Sequence, residues 1–418
     1  MRAQSRRSRL VAVTALVFAG CTGSPEGQDS GVFHPERPPL DRQPGETYFC
    51  DLPAPDVTRS GHPYGFCVRR FTNMGAPRVL AFSPNGDLFV AAPSLRTPGL
   101  APPGAGQIAV LTDDNRDGVA EVSEFAGGLP DVHGLLFTDG WLYYTRSTGV
   151  FRTPYASGQR RIGSTPPEQV ASLVGLSPAA RWTHTLARAA DGTIYVSQGQ
   201  YQSYTCPGTP RAGAVFRLVP GSLEPAVVVS GLRNPMYLRC DPTGAECYAA
   251  ELSDDSWDPS TGTMGREKLI RLGAGAGNYG YPCCAGRNAM APPGRANGAN
   301  CASVAEELTS WPLADTPFGI DFERGRWPAP WRNGFFVGLH GAFETWQDTK
   351  VIWCPLDAQG RPNGQWQDFV TGWGRRSEGI VGRIADVTFA PDGRLFFTDD
   401  QGGGVYWVAP EGMAAPRP

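Results

Sequence analysis

Apolar and polar positions alternate along this chain in short bursts, never at sustained helical spacing, and the bursts return in a fixed order. The recurring unit is an apolar residue or run, a polar turn containing glycine, and a second run rich in aromatic and β-branched residues. It reads Phe82-Ser-Pro-Asn-Gly-Asp-Leu-Phe-Val90, Phe137-Thr-Asp-Gly-Trp-Leu-Tyr-Tyr144, Ala190-Asp-Gly-Thr-Ile-Tyr-Val196, Asp241-Pro-Thr-Gly-Ala-Glu-Cys-Tyr248 and Phe389-Ala-Pro-Asp-Gly-Arg-Leu-Phe-Phe397. A degenerate copy, Trp331-Arg-Asn-Gly-Phe-Phe-Val337, fills the long gap before the last. Each unit predicts a β-hairpin, with Gly86, Gly140, Gly192, Gly244, Gly334 and Gly393 supplying the positive backbone angles of a tight turn.

A closing strand follows each hairpin: Gln107–Leu111, Gly149–Arg152, Ala214–Leu218, Lys268–Leu272, Lys350–Trp353 and Gly404–Trp407. About four strands per 50 to 60 residues is the size of a propeller blade, and such a unit buries its faces only against neighbouring copies. The pattern predicts an all-β chain folded as a six-bladed β-propeller over residues 46–410, with residues 411–418 as a tail. A β-sandwich is the alternative, but nothing in a sandwich maintains this period.

The first residues change the picture of where the protein works. Arg2, Arg6, Arg7 and Arg9 precede an apolar stretch ending in Phe18-Ala-Gly-Cys21, too short to span a bilayer and suited to a secretory signal. Small residues before Cys21 match a lipoprotein cleavage site, so residues 1–21 read as a signal peptide and 22–45, rich in Gly, Pro and Ser, as a tether. The expectation is an exported lipoprotein, lipid-anchored at a membrane and facing the periplasm or cell surface. Nine further cysteines fit an oxidising compartment. Cys50 with Cys67, Cys240 with Cys247 and Cys284 with Cys301 are candidate bridges; Cys206, Cys283 and Cys354 stay unassigned, and Cys283-Cys284 is either a redox pair or two separate structural residues. A net charge of −3, with no basic run after the N-terminus, excludes nucleic acid as the natural partner.

Two groups of residues carry candidate chemistry. Asp113-Asp-Asn-Arg-Asp-Gly-Val-Ala-Glu-Val-Ser-Glu124 fits the twelve-residue calcium-loop template, with Asp113, Asn115, Asp117, the Val119 carbonyl, Glu121 and Glu124 as ligands and Gly118 at the sharp turn. Its flanks are strand-like, so the loop would stiffen a blade connection; the alternative is a solvated acidic turn. The second group is a ring. Segments entering the innermost strands converge on a propeller axis, and counting back from the turns gives Arg78, His133, Arg181 with His184, Arg233 with Asn234, Asp315 with Thr316, and Arg383 with Asp386. They form either a ligand site or a set of mutually paired side chains plugging the channel.

Gly231-Leu-Arg-Asn-Pro235, Gly277-Asn-Tyr-Gly-Tyr-Pro282, Trp182-Thr-His-Thr-Leu186, Phe336-Val-Gly-Leu-His-Gly341 and Gly382-Arg-Ile-Ala-Asp-Val-Thr-Phe389 together resemble the soluble sugar dehydrogenases that depend on pyrroloquinoline quinone (PQQ), in their sorbosone dehydrogenase-like branch. The resemblance runs from Gly65 to Val408. It implies PQQ and calcium as cofactors, hydride transfer from a sugar or related aldehyde or alcohol, and an electron acceptor of unknown identity. Arg181, Arg233, Asn234 and Arg383 would contact the quinone, and the cofactor's calcium would sit beside Glu251-Leu-Ser253. Where the family writes His-Trp-Thr-Arg this chain writes Arg181-Trp-Thr-His184, and arginine cannot accept a proton, so His184 is the expected base. His133 is the reserve; His340 and Lys350 read as structural. The competing function is a catalytically inactive propeller serving as a cell-surface platform for glycan or protein. A calcium-dependent lactonase-type propeller needs more acidic lead-ins than Asp315 and Asp386 provide.

Overall fold

The computed structural model describes residues 32–33, 35, 42–94, 105–174, 182–200, 205–254, 266–273, 277–313, 315–341, 349–374 and 382–416. Residues 1–31 (expected to hold a signal peptide), most of the expected tether and Arg181 therefore lie outside the described residues. Six four-stranded antiparallel sheets make up the fold, with one small extra hairpin, Cys284–Gly286 with Ala289–Met290. The innermost strands are Val79–Phe82, Leu135–Thr138, Leu186–Arg188, Asn234–Cys240, Pro317–Phe322 and Ile384–Phe389. Each packs against the next, and the sixth returns to the first, closing a six-bladed β-propeller.

Four blades are built from consecutive strands; the fourth takes the small hairpin as an insertion before its outer strand, Thr309–Trp311, and the sixth departs further. Its order runs Ile384–Phe389, Leu395–Asp399, Gly404–Pro410 and then Phe66–Asn73, so the outer strand comes from the other end of the chain. Phe66 pairs with Pro410 and Asn73 with Gly404. Local periodicity carries no trace of this pairing, since no turn joins the two strands.

The hairpin reading holds at five turns through glycine itself, with φ of +92° at Gly86 and +97° at Gly393. The degenerate copy differs. There Asn333 takes the left-handed angle, φ +57°, while a Cβ on Gly334 would stand 2.0 Å from Trp353 Nε1. That glycine is kept for contact, not for conformation.

Burial follows the layers. All six residues of both Pro317–Phe322 and Ile384–Phe389 are buried. Between the fifth and sixth blades, Trp327 meets Phe66, Phe336, Phe369 and Phe389 at ring-centroid distances of 5.0 to 5.5 Å. Disulfides join Cys50–Cys67, Cys240–Cys247, Cys284–Cys301 and Cys206–Cys283, leaving Cys354 as a free, buried thiol. The adjacent Cys283 and Cys284 thus take separate structural partners.

Candidate functional site

In an antiparallel blade the start of the innermost strand and the end of the second strand lie at one end, with the hairpin turn at the other. One mouth of the channel is therefore made from lead-in residues and from residues closing the second strands, such as Gln198, His340 and Asp400. Counting lead-ins alone finds half of it. Side chains also cross the axis: the Tyr237 hydroxyl, from the fourth blade, donates to the Arg78 carbonyl of the first at 3.3 Å, and Thr398 Oγ1 donates to the same oxygen at 2.9 Å.

His184, Arg233, Asn234 and Arg383 all stand buried at this end. His184 is fully enclosed. Its Nδ1–H donates to the Ser197 carbonyl at 2.9 Å, its Nε2 faces the Ser147 carbonyl at 3.4 Å, and burial pushes its pKa down to about 4. The ring holds the second blade to the third with both nitrogens set against backbone carbonyls, which leaves neither for a substrate proton, contrary to the role expected of it. His133 is enclosed too, with Nδ1–H donating to the His184 carbonyl at 3.0 Å and Nε2 without a partner.

His340 is arranged differently. Its Nε2 lies 3.2 Å from Asp400 Oδ1, so that nitrogen carries the proton and donates it, and Nδ1 keeps a lone pair with no partner among the described residues. The ring packs on Phe318 at 3.9 Å between centroids, tilted by 34°. Burial, with the charges of Arg383 and Arg78, holds its pKa well below the ordinary 6.5. Arg78 Nη1 reaches Asp400 Oδ2 at 3.3 Å while its guanidinium lies 5.4 Å from the Phe318 centroid. Arg383 donates from Nε to the His340 carbonyl and from Nη2 to the Gly341 carbonyl, both at 3.1 Å. Its guanidinium fixes the loop that carries the imidazole.

The fourth blade contributes a closed ionic group. Glu251, fully buried, accepts the Arg233 backbone N–H at 2.9 Å, the Ser253 hydroxyl at 3.0 Å and the Lys268 ammonium at 3.1 Å, and Lys268 also donates to Ser253 Oγ at 2.8 Å. A calcium ion was expected beside Glu251-Leu-Ser253. Those side chains instead enclose an ammonium, which neutralises the carboxylate a divalent ion would use, so they do not fit that ion. Deeper in the channel Arg239 donates to the Ile320 carbonyl at 2.9 Å and to Thr388 Oγ1 at 2.7 Å, near Asp321 and Asp386. Burial raises Asp386 to about 7, and its oxygens accept the Leu80 and Val387 N–H groups. Asp386 therefore belongs to a plug, not to the mouth.

The acidic loop is the hairpin between Gln107–Thr112 and Glu121–Ala126. Asp113 accepts the Gly118 N–H at 3.2 Å, Asn115 the Asp117 N–H at 3.1 Å, Asp117 the Val119 N–H at 2.8 Å and Glu121 the Asp114 N–H at 3.1 Å. Burial raises the Asp113 pKa, and the like charges of Asp117 and Glu121 add to that. Glu124 stays apart. It lies three residues along a strand from Glu121, on the opposite face, with its carboxylate against Gly127. Among the described residues no group of three or more His, Cys, Asp or Glu is set to hold a metal ion.

No protein-family model matches the chain. A Borreliella burgdorferi protein described only as uncharacterized is 23% identical over 185 residues, 44% of this chain and 48% of that protein, so the match spans about half of the relative's length. Solved structures align far more completely. The PQQ domain of pyranose dehydrogenase from Coprinopsis cinerea, in its holo form, superposes with a TM-score of 0.68 at 18% identity, covering 85% of this chain and 98% of its own. The Trichoderma reesei protein of Carbohydrate-Active Enzymes Family AA12 gives 0.66 at 18% identity over 86% and 98%. The soluble aldose sugar dehydrogenase of Escherichia coli gives 0.56 at 19% identity over 82% and 99%. At such identities the likeness establishes architecture: this chain has the six-bladed propeller fold of the PQQ-dependent sugar dehydrogenases.

Proposed function

We propose that this propeller is an exported oxidoreductase that takes PQQ at its mouth and oxidises a sugar, or a related aldehyde or alcohol, with His340 as the base. The observation that carries this reading is the His340–Asp400 pair, an imidazole with one nitrogen held by a carboxylate and the other an unpartnered lone pair. Fit to the cofactor rests on buried donors at the same mouth: Arg78 Nε and Gln198 Nε2 have no partner among the described residues, and Arg233 stands on the neighbouring blade. Such donors suit a planar molecule rimmed by carboxylate and carbonyl oxygens. When bound, PQQ supplies the acceptor for the hydride. The chain's own work is to receive the substrate hydroxyl proton at His340 Nδ1 as the carbinol carbon loses hydride and becomes a carbonyl.

The four disulfides support export to an oxidising compartment. The decisive experiment adds PQQ to the purified protein and follows quinone absorbance as aldoses and aldehydes are introduced. Bleaching on addition supports the dehydrogenase; failure to bind PQQ overturns it and leaves the glycan- or protein-binding platform.

Calcium, on this reading, enters the acidic loop at Asp113, Asn115, Asp117, the Val119 carbonyl and Glu121, whose side chains are not set for a metal here and must exchange the backbone N–H groups they hold for the ion. Glu124 takes no part. Calcium at 100 times its Kd is expected to stabilise the wild type by about 2.7 kcal/mol, and Asp117→Asn to abolish the gain. Equal thermal midpoints with calcium and with chelator, in the wild type, refute calcium in this loop.

A further inference from the structure

Asp400 sits in a closed circuit of three residues. Its backbone N–H donates to the Arg383 carbonyl at 3.0 Å, Arg383 Nε donates to the His340 carbonyl at 3.1 Å, and His340 Nε2 donates to Asp400 Oδ1 at 3.2 Å. The second carboxylate oxygen is held by Arg78 at 3.3 Å. Asp400 is only 4% exposed, so neither oxygen is free to turn to water. Phe318 closes one face of the imidazole.

A neutral imidazole has one proton and two nitrogens, and which nitrogen is basic depends on where that proton is held. Here Asp400 offers an acceptor to Nε2, and none of the described residues offers one to Nδ1. We infer that Asp400 is a positioning residue, locking His340 in the Nε2–H tautomer so that Nδ1 is the nitrogen left with the basic lone pair. Arg78 anchors the far oxygen, which prevents the carboxylate from rotating out of line with the ring. This inference deepens the dehydrogenase reading and rests on it for its consequence, but the tautomer itself exists without cofactor.

The experiment is nitrogen-15 NMR of histidine-labelled protein without PQQ. The chain has five histidines, so the His340 signals are identified by their loss in His340→Gln. Expected for the wild type is a single tautomer with a protonated Nε2 and a lone-pair shift at Nδ1. In Asp400→Ala and Asp400→Asn the tautomer becomes mixed or inverts, while the His133 and His184 signals, pinned by backbone carbonyls, report an intact fold. Asp400→Glu restores part of the wild-type signature. In the reconstituted enzyme kcat falls on the order of 10²-fold in Asp400→Ala, with KM little changed. A wild-type Nδ1–H tautomer overturns the inference even if every variant misfolds, as does an unchanged tautomer in a folded Asp400→Ala. A tautomer that obeys Asp400 in a protein that oxidises nothing preserves the inference and removes the dehydrogenase.

Discussion

His340→Gln is expected to lower kcat for sugar oxidation by about 10²- to 10⁴-fold, the range associated with a positioned general base. Glutamine keeps a side chain of similar reach and can still donate to Asp400, so PQQ binding and thermal midpoint should change little while the proton acceptor disappears. The pH profile carries the same signature. A base works only when deprotonated, so activity is lost as pH falls through its pKa. Burial, Arg383 and Arg78 hold His340 well below 6.5, so the acid limb should lie below that value and the rate stay flat across it. Steady-state kinetics over a pH series checks both points, and an acid limb at or above 6.5 would reassign the base. The His184→Gln variant provides the contrast: with its ring bonded to Ser197 and enclosed, loss of stability should dominate over loss of turnover in the protein that folds.

Trp327→Ala is expected to destabilise the propeller by about 3 to 5 kcal/mol, the usual result of deleting a large aromatic from a packed core. Four aromatic neighbours surround this indole, and its Nε1–H donates to the Gly393 carbonyl at 2.8 Å, so the cavity has rigid walls and one orphaned acceptor. Against a typical total of about 5 to 15 kcal/mol, that is a large fraction. Because Phe66 is one of the neighbours, the damage falls where the N-terminal strand docks. Urea unfolding followed by tryptophan fluorescence measures it. A change under about 1 kcal/mol would mean that the fifth and sixth blades do not share a rigid core.

The hairpins were legible because turn chemistry and strand alternation are local: Gly86, Gly140, Gly192, Gly244 and Gly393 sit where the turns require them. Phe66–Asn73 was not, since its partner is fixed by ring closure and not by any adjacent residue. The mouth was half legible for a related reason. Lead-ins can be found by counting back from each turn, which locates Arg78, His133, Arg233 and Arg383, but the ends of the second strands lie beyond the repeat's strongest signal. His340 and Asp400 belong to that second set. A count forward from each turn to the end of the following strand would have reached Gln198, His340 and Asp400 together. Direction was the other missing information: spacing put His184 near the axis, and only packing shows its ring turned into a carbonyl-lined wall. The same limit applies to the acidic loop, where the template counts twelve positions and the strand beginning at Glu121 carries the last of them to the wrong face.

Pairing Phe66–Asn73 with Gly404–Pro410 has a consequence for how the protein matures. Contacts between residues so remote in sequence form late and slow the search for the native state. Until that clasp engages, the sixth blade shows a bare strand edge, open to any other extended chain nearby. A ring of this kind is vulnerable at its seam during synthesis, and the Cys50–Cys67 bridge, which fastens the N-terminal segment to the clasping strand, reinforces the element on which closure depends.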